Sequence, residues 1–391
     1  MKKTVKNDTS DAYYLRLARP HILSLEPYSQ SMPSALYEDA DAVRISANEN
    51  GFGAPPAVIE ALRTRFAGGA GINRYPDITC ALVRKALAEK YRLPADWFLV
   101  GNGLDDIITM LALSFLSQDD SVIVPSATFS VYANTSRMMG AEPIAIPMKP
   151  DLSIDTDAIP DAMKSDTKMI FLCSPNNPTG TVITHAEFDS LLEKLAHMPK
   201  QPMIIVDHAY LDFAPKSGDG QNPLDAIKYI KSFNNIAVLR TFSKLSGLAG
   251  LRAGYITARP AMLSYMYRIR PPYTVNALAQ EAAYTDITDA SVREFKKTAR
   301  KKIMAGKARL EKFFKDLGIA YVPSQANFVF AFYDKPFEKL TYIASELAKR
   351  GIFVRTLRHV GAPSGLRFSV GTRDENERLI SSLRDILSSG V

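Results

Sequence analysis

The chain has 391 residues, of which 46% are hydrophobic and 23% charged. This composition is typical of a globular protein and excludes collagen-like and disordered classes. At roughly 150 residues per domain, the length predicts two to three domains or one large α/β unit. The net charge of +7 is concentrated between residues 291 and 315, where ten Lys and Arg face two Glu. Where these basic residues lie on the predicted secondary structure therefore decides between a solvated surface and a nucleic-acid-binding patch.

The sequence does not have the features of a membrane protein, a disulfide-rich protein or a metalloprotein. No apolar run approaches the roughly 20 residues of a spanning helix, and residues 4–19 mix charged and polar residues where a signal peptide needs an apolar stretch. We therefore expect a cytoplasmic protein with no membrane partner. Cys80 and Cys173 form no C-x-x-C pair, and the five histidines have no H-E-x-x-H spacing. We expect buried cysteines and no metal.

The middle of the chain alternates short apolar runs with helical patterns. Two helices are predicted over Leu104–Leu116 and Glu187–Leu195, and the second opens with the capping box formed by Thr184 and Glu187. Apolar runs without alternation, separated by helices, predict a mainly parallel, doubly wound sheet covered on both faces. The predicted strands are Phe98–Val100, Val122–Val124, Ile144–Ile146, Met169–Leu172, Met203–Val206, Ile236–Leu239 and Tyr255–Thr257.

From about residue 285 the pattern changes to that of a smaller α+β domain. A long helix over 291–315 places apolar residues such as Val292 and Ile303 on one face, so we interpret its basic residues as a solvated face rather than a nucleic-acid patch. Strands are predicted near Asn327–Phe332, Phe353–Arg355 and Arg367–Ser369, and a last helix from Asp374. We expect residues 1–50 to join this domain.

A doubly wound sheet binds ligands at the carboxyl ends of its strands. Gly101–Asp106 follows the first strand, but Asp106 stands where the dinucleotide fingerprint requires its third glycine. The dinucleotide-binding fingerprint is therefore absent from this turn. The turn still offers the amides of Leu104 and Asp105 to an anion such as phosphate, although a plain strand-to-helix turn has the same sequence.

Two further strand ends carry the candidate chemistry. Asp207 and Tyr210 follow Met203–Val206, while Ser243, Lys244 and Arg252 follow Ile236–Leu239. Ser243 and Arg252 are suited to hold a phosphate beside the lysine. A lysine beside a phosphate site, with an aspartate on a neighbouring strand, is the arrangement that pyridoxal 5′-phosphate requires for its Schiff base and its pyridinium nitrogen.

These residues stand in a series of blocks that resembles the fold-type I pyridoxal-phosphate aminotransferases, most closely the histidinol-phosphate aminotransferase branch. The resemblance covers nearly the whole chain. The blocks are Asn48-Glu49-Asn50, Asn73 to Asp77, Gly101 to Asp106, Ser174 to Gly180, Ser243 to Arg252, Arg270 to Tyr273, Ala326-Asn327-Phe328 and Leu366 to Thr372.

The resemblance implies a role for each matching residue. Lys244 is the Schiff-base lysine, Asp207 pairs with the pyridinium nitrogen, and Tyr210 and Asn177 bond the cofactor's 3′-oxygen. Phe129 stacks on the ring. The phosphate is held by the amides of Leu104 and Asp105, by Ser243 and by Arg252, with Tyr75 reaching it from the second subunit of a homodimer. On the substrate side stand Arg367, Arg355 and Tyr28.

The resemblance also implies a division of the chain and a reaction. Residues 1–50 form an arm that joins the small domain, 51–285 the large cofactor-binding domain, and 286–391 the small domain. The expected activity is amino transfer between an amino acid or histidinol phosphate and a 2-oxo acid, 2-oxoglutarate being the expected acceptor. Two alternatives stay open: a decarboxylase of the threonine-phosphate type, and a binding module such as the effector domain of a transcription regulator.

Three positions depart from the family pattern. His208 stands where the family has glutamate, Gly51-Phe52 replaces Pro-Tyr, and residues 29–32 lack an expected glycine. We expect these positions to line or flank the substrate mouth, so they bear on substrate more than on cofactor.

Overall fold

The computed structural model describes residues 10–23, 25, 27, 39, 41–215, 222–359 and 361–388. Within these residues thirteen strands form three sheets. The strands are β1 Val43–Arg44, β2 Phe98–Gly101, β3 Ser121–Pro125, β4 Glu142–Ile146, β5 Thr167–Cys173, β6 Met203–Asp207, β7 Ile236–Thr241, β8 Gly254–Thr257, β9 Tyr321–Val322, β10 Phe328–Ala331, β11 Ile352–Phe353, β12 Arg355–Leu357 and β13 Gly365–Ser369.

The helices of the described residues alternate with these strands through the middle of the chain. Both helices and the capping box at Thr184 that the sequence predicts are confirmed. The helices are α1 Ser10–Leu17, α2 Pro56–Arg65, α3 Ala81–Tyr91, α4 Leu104–Phe115, α5 Val131–Met138, α6 Ile159–Ala162, α7 His185–Ala196, α8 Pro260–Ile269, α9 Ala277–Thr288, α10 Ala290–Asp316, α11 Phe337–Lys349 and α12 Arg373–Ser388.

The seven-stranded sheet has the order β2-β8-β7-β6-β5-β3-β4 and contains all seven strands predicted for the middle of the chain. β8 is antiparallel to both neighbours, and the pairs from β7 to β4 are parallel. Successive residues of β6 enter opposite cores, since Ile205 belongs to one apolar cluster and Ile204 and Val206 to another. Burial on both faces explains why these strands show no alternation in sequence.

The C-terminal part holds a four-stranded antiparallel sheet, β12-β13-β10-β9. The strand predicted at Phe353–Arg355 is instead two short strands on either side of Val354. β11 pairs in parallel with β1, whereas β12 pairs with β13. At Val354 the chain leaves the β1 pairing and enters the β13 pairing, so one strand ends there and the next begins.

α10 spans 27 residues and begins at the cap Asp289, whose carboxylate accepts from the amides of Ser291 and Val292. Its predicted apolar face is confirmed, because Val292, Ile303 and the other matching positions are buried or partly buried. The helix packs against β9 and β10 of the four-stranded sheet and also against α2 and α9. It therefore connects the C-terminal sheet with helices of the preceding part of the chain.

No helix of the described residues is long and apolar enough to cross a membrane. Within the same residues no group of three His, Cys, Asp or Glu could hold a metal ion. Cys80 and Cys173 are buried and free, as expected. The division at residues 50 and 285 stays a prediction, although β1 does pair with β11 of the C-terminal part.

Candidate active site

One cavity of about 600 Å³ lies at the carboxyl ends of β6 and β7. Two cavities of about 730 and 630 Å³ are somewhat larger, but they flank Arg300 beside α10. The smaller cavity is the one that gathers the predicted residues. Its lining includes Leu104, Asp105, Phe129, Asn177, Asp207, Tyr210, Ser243, Lys244, Arg252 and Arg367.

Lys244 stands in the turn after β7, where Gly247 closes the loop by donating its N–H to the Lys244 carbonyl at 3.0 Å. Lys244 Nζ donates to the carbonyl of Ala47 at 2.9 Å and lies 5.7 Å from the centre of the Tyr210 ring. Burial, with the nearby positive charge of Arg367, lowers the pKa of Lys244 to about 8. A larger share of this amine is therefore neutral and nucleophilic near neutral pH than in an exposed lysine.

Asp207 ends β6 and is 4% exposed. One carboxylate oxygen accepts from Tyr132 Oη at 2.7 Å and the other from the N–H of Ala209 at 2.8 Å. Burial raises the pKa of Asp207 to about 6, against the lowering effect of these hydrogen bonds. In the part of the chain that the structure describes, no basic side chain forms an ion pair with it. The site is suited to a cationic N–H group of a ligand.

Tyr210, Asn177 and Arg367 form the wall nearest to the four-stranded sheet. Arg367, on β13, donates to Asn177 Oδ1 and to the carbonyl of Ser46. Tyr210 Oη accepts from Asn48 Nδ2 at 3.0 Å, and burial raises the pKa of this phenol. The phenol therefore stays protonated and able to donate into the cavity.

An anion cradle forms where α4 begins. Gly103 is the N-cap of α4 with φ of 84°, and the first amides of a helix have no partner within the helix. Arg252 bonds the Asp105 carboxylate at 3.2 Å. A Cβ on Gly103 would meet the Arg252 guanidinium at 2.5 Å. The close approach of Arg252 to the turn thus depends on glycine, and it brings a cation to the amide end of the helix.

Two predicted residues are not part of the described lining of this cavity, and a third is not described by the structure. Tyr75 is 80% exposed, and its ring stacks on Tyr273 at 4.3 Å. Arg355 lies opposite Arg367 in the β12–β13 ladder, but among the described residues only Arg367 of the two lines the cavity. Tyr28 lies outside the described residues.

The structure adds two contacts that sequence reasoning missed. Tyr132, in the first turn of α5, donates to Asp207 and stacks on Phe171 at 4.9 Å. Its position three residues after Phe129, whose ring lies 5.6 Å from the Tyr132 ring, is the only sequence signal. Asn48 contacts Tyr210 from the segment after β1, and only its place in the matching block Asn48-Glu49-Asn50 pointed to it.

For two of the departures from the family pattern the structure shows other contacts, and their expected place beside the substrate mouth stays a prediction. The ring of His208 accepts the Ala226 N–H at Nε2 at 3.0 Å, so Nδ1 carries the hydrogen and donates to the Ser174 carbonyl at 2.8 Å. Phe52 packs against the core under Lys302. Neither belongs to the described cavity lining. Residues 29–32 lie outside the described part of the chain.

The chain is similar to known proteins over most of its length. Residues 40–383 match the family model described as aminotransferase class I and II. A histidinol-phosphate aminotransferase of Symbiobacterium thermophilum is 35% identical over 379 residues, which is 95% of this chain and 99% of the relative. That of Lactiplantibacillus plantarum is 35% identical over 369 residues, 93% of this chain and 98% of the relative.

Solved structures of aminotransferases have the same fold as this chain. The histidinol-phosphate aminotransferase of Sinorhizobium meliloti in complex with pyridoxal-5′-phosphate has a TM-score of 0.83 at 25% identity and covers 96% of this chain and 98% of its own. Aspartate aminotransferase of Thermus thermophilus with maleate shares the fold, with a TM-score of 0.77 at 21% identity over 93% of this chain and 99% of its own. The chain therefore belongs to the class I and II aminotransferases, and it is a pyridoxal-phosphate-dependent transaminase similar to histidinol-phosphate aminotransferases.

Proposed function

We propose that this enzyme moves an amino group between histidinol phosphate, or an amino acid, and 2-oxoglutarate, and that it works as a homodimer. The observation that carries the proposal is the placement of Lys244, Asp207 and Arg252 around one cavity, with a lysine of lowered pKa between a buried carboxylate and an anion cradle. Several relatives that match almost the whole chain are named histidinol-phosphate aminotransferases.

The residues present fit pyridoxal 5′-phosphate. The cradle at Gly103 suits its phosphate, with the amides of Leu104 and Asp105, Ser243 and Arg252 as ligands. Asp207 suits its pyridinium N–H, Tyr210 and Asn177 its 3′-oxygen, and the partly buried Phe129 its ring face. When bound, the cofactor supplies an electron sink for the bond broken at the donor's α-carbon.

The protein's own groups perform the remaining tasks. Lys244 Nζ moves the proton of the donor's α-carbon, and the pKa of about 8 gives it basic capacity near physiological pH. A cationic partner helps to keep Asp207 ionised, because it opposes the rise in pKa that burial causes. Arg367 binds an anionic group of the substrate through its planar fork, with Asn177 and Ser46 fixing its orientation.

Exposed apolar side chains support a dimer in which Tyr75 acts across the interface. α9 packs against both α2 and α3, and each of the three helices presents a large exposed apolar side chain. These are Ile59, Leu82 and Leu278. Tyr75 and Tyr273 form an exposed stacked pair. A second subunit that covers this layer would bring its Tyr75 toward the partner's cavity.

The test of the function is chemical labelling together with a donor panel. Purified protein reconstituted with pyridoxal 5′-phosphate is expected to absorb visible light, and borohydride is expected to fix the cofactor on Lys244. Lys228, which lines a different cavity, serves as the control lysine: Lys228→Arg should retain the label and Lys244→Arg should lose it. An adduct found on another lysine would contradict the proposal.

Substrate choice is then measured with histidinol phosphate, phenylalanine and other amino donors against 2-oxoglutarate. Formation of glutamate with histidinol phosphate as donor is the expected result. Release of carbon dioxide without glutamate would favour the decarboxylase instead.

A further inference from the structure

Asn48 is buried, with 1% exposure, and connects the cavity to the four-stranded sheet. Its backbone has φ of 56°, in the left-handed region that Asn tolerates better than most residues. It stands in the segment between β1 and α2, which contacts Ser369 of the four-stranded sheet and Tyr210 in the turn after β6. Nothing in the proposed function uses this side chain.

All four polar groups of Asn48 have partners. Its N–H donates to Ser369 Oγ at 2.8 Å, and its carbonyl accepts from Asn327 Nδ2 at 3.0 Å. Its side-chain oxygen accepts from Ser369 Oγ at 2.9 Å, and Nδ2 donates to Tyr210 Oη at 3.0 Å. Ser369 is the last residue of β13 and Asn327 immediately precedes β10, so the amide is held from the four-stranded sheet.

The direction of these hydrogen bonds determines what Tyr210 can do. Ser369 Oγ accepts the backbone N–H of Asn48, and its own hydrogen goes to Asn48 Oδ1. The amide NH₂ therefore faces Tyr210 and donates to it. A phenol oxygen that accepts one hydrogen bond keeps its single hydrogen for another partner. That hydrogen is available to the cavity.

We propose that Asn48 is a positioning residue that fixes Tyr210 as a hydrogen-bond donor toward the cofactor's 3′-oxygen. The inference rests on the proposed function, because it takes Tyr210 as a ligand of that oxygen. A donated hydrogen bond draws negative charge away from the 3′-oxygen, so a proton shared with the Lys244 nitrogen is held less tightly. Loss of the donor should raise the apparent pKa of the cofactor's visible absorbance.

The experiment is a double-mutant cycle read by absorbance. The holoenzymes of the parent, Asn48→Gly, Tyr210→Phe and the double variant are titrated without substrate, and cofactor dissociation is measured by fluorescence. Glycine adopts the Asn48 backbone conformation without strain. Tyr210→Phe should raise the spectral pKa by about one unit, the scale of a hydrogen bond to a charged group. Asn48→Gly should raise it by a substantial part of that shift.

The cycle separates a role through Tyr210 from a structural role. In the Tyr210→Phe background, Asn48→Gly should add no further shift, since the group it orients is gone. Additive shifts, or no shift for Asn48→Gly beside a clear shift for Tyr210→Phe, would overturn the proposal for Asn48. An unchanged spectral pKa in Tyr210→Phe would instead contradict the role of Tyr210 within the proposed function.

Two further variants serve as a matched control and as a substitute if Asn48→Gly does not fold. Asn50→Gly makes the same replacement two residues away, where the amide donates to the Leu245 carbonyl, and should leave the spectral pKa unchanged. Ser369→Ala removes the hydroxyl that orients the Asn48 amide and should shift the pKa upward by less than Asn48→Gly does. If Asn48→Gly loses its cofactor or its fold, Ser369→Ala in both Tyr210 backgrounds decides by the same criterion.

Discussion

At the scale of single residues, Asp207 is the side chain whose charge matters most for the proposed reaction. Asp207→Asn keeps the shape but has one accepting oxygen for the two donors Tyr132 and Ala209, and it leaves the ring nitrogen without an anion. Turnover should fall by several orders of magnitude, comparable to the roughly 10⁴-fold loss at the serine-protease aspartate. Steady-state kinetics of the reconstituted enzyme measure this. Asp286→Asn, at a buried acid paired with Lys296, is the control and should keep its turnover.

His208 gives a prediction about pH and stability. Burial, with Arg240 nearby, lowers the pKa of His208 from 6.5 to about 4. The unfolded chain therefore binds a proton between pH 6.5 and 4 that the folded chain excludes, and stability falls as the pH falls through this window. His208→Gln can keep both backbone hydrogen bonds without titrating.

The expected result is similar stability of parent and His208→Gln at pH 7, and a relative gain for the variant of up to about 3 kcal/mol near pH 4. Denaturant unfolding of the apoprotein at several pH values measures it. Parallel pH profiles for the two proteins would show that His208 does not titrate in this range. A His197→Gln variant, at an exposed histidine, controls for the loss of a histidine as such.

At the scale of elements, the turn between β2 and α4 depends on one glycine. Gly103→Ala places a Cβ 2.5 Å from the Arg252 guanidinium at a residue with φ of 84°. Arg252 must move away from the cradle, so cofactor dissociation should increase by at least about tenfold, the equivalent of one charge-assisted hydrogen bond. Fluorescence titration of the apoenzyme with pyridoxal 5′-phosphate measures it.

Gly318→Ala is the matched control for that turn. Gly318 also has positive φ, at 65°, but a Cβ there meets nothing within 4 Å. This variant should lose about 1–2 kcal/mol of stability through backbone strain alone, with unchanged cofactor affinity. Equal affinity losses in both variants would mean that strain, and not the displacement of Arg252, is responsible.

The β12–β13 pair places Arg355 opposite Arg367. Residues directly opposite in an antiparallel ladder project from the same face. Arg367→Ala should lower kcat/KM for every donor and acceptor by about 10- to 150-fold, from roughly 1.5–3 kcal/mol per charged hydrogen-bonded contact. Arg355→Ala should reduce activity with substrates that carry two anionic groups far more than with phenylalanine.

Kinetics with 2-oxoglutarate, histidinol phosphate and phenylalanine measure both variants. The control is Arg358→Ala, because this arginine lies one residue beyond β12 with its guanidinium 5.2 Å from the Phe337 ring centre. Equal losses on all three substrates for Arg355→Ala would indicate a structural role for that residue.

The sequence predicted elements better than it predicted contacts between them. Each central strand was visible because it is a continuous apolar run, and the residues after β6 and β7 were expected to meet since parallel strand ends share one edge. The break at Val354 was not visible, because it depends on which strand each half pairs with. The bonds from Tyr132 and Asn48 to the site join residues 75 and 162 positions apart. No local pattern encodes them.

At the scale of the whole molecule, the exposed layer of α2, α3 and α9 predicts assembly. Leu82 on α3 is 65% exposed, and Leu82→Arg should place a charge in the proposed interface. We expect a lower mass in analytical ultracentrifugation together with weaker cofactor retention, because the proposed contact of the partner's Tyr75 with the phosphate would be lost. Leu317→Arg, at a 48% exposed leucine after α10, should change neither.

A stable monomer that holds the cofactor as tightly as the parent would contradict the role of Tyr75 across the interface. A dimer that persists in Leu82→Arg would place the interface elsewhere.

The bond between Asn48 and Ser369 spans 321 positions of the chain, and this has a consequence for biosynthesis. Long-range contacts of this kind close late in folding. During translation, Lys244 and Tyr210 leave the ribosome well before β13 does, so a nascent chain that lacks β13 also lacks the serine that orients the Asn48 amide. Catalytic competence should therefore appear in one late step, when β13 docks beside the segment after β1.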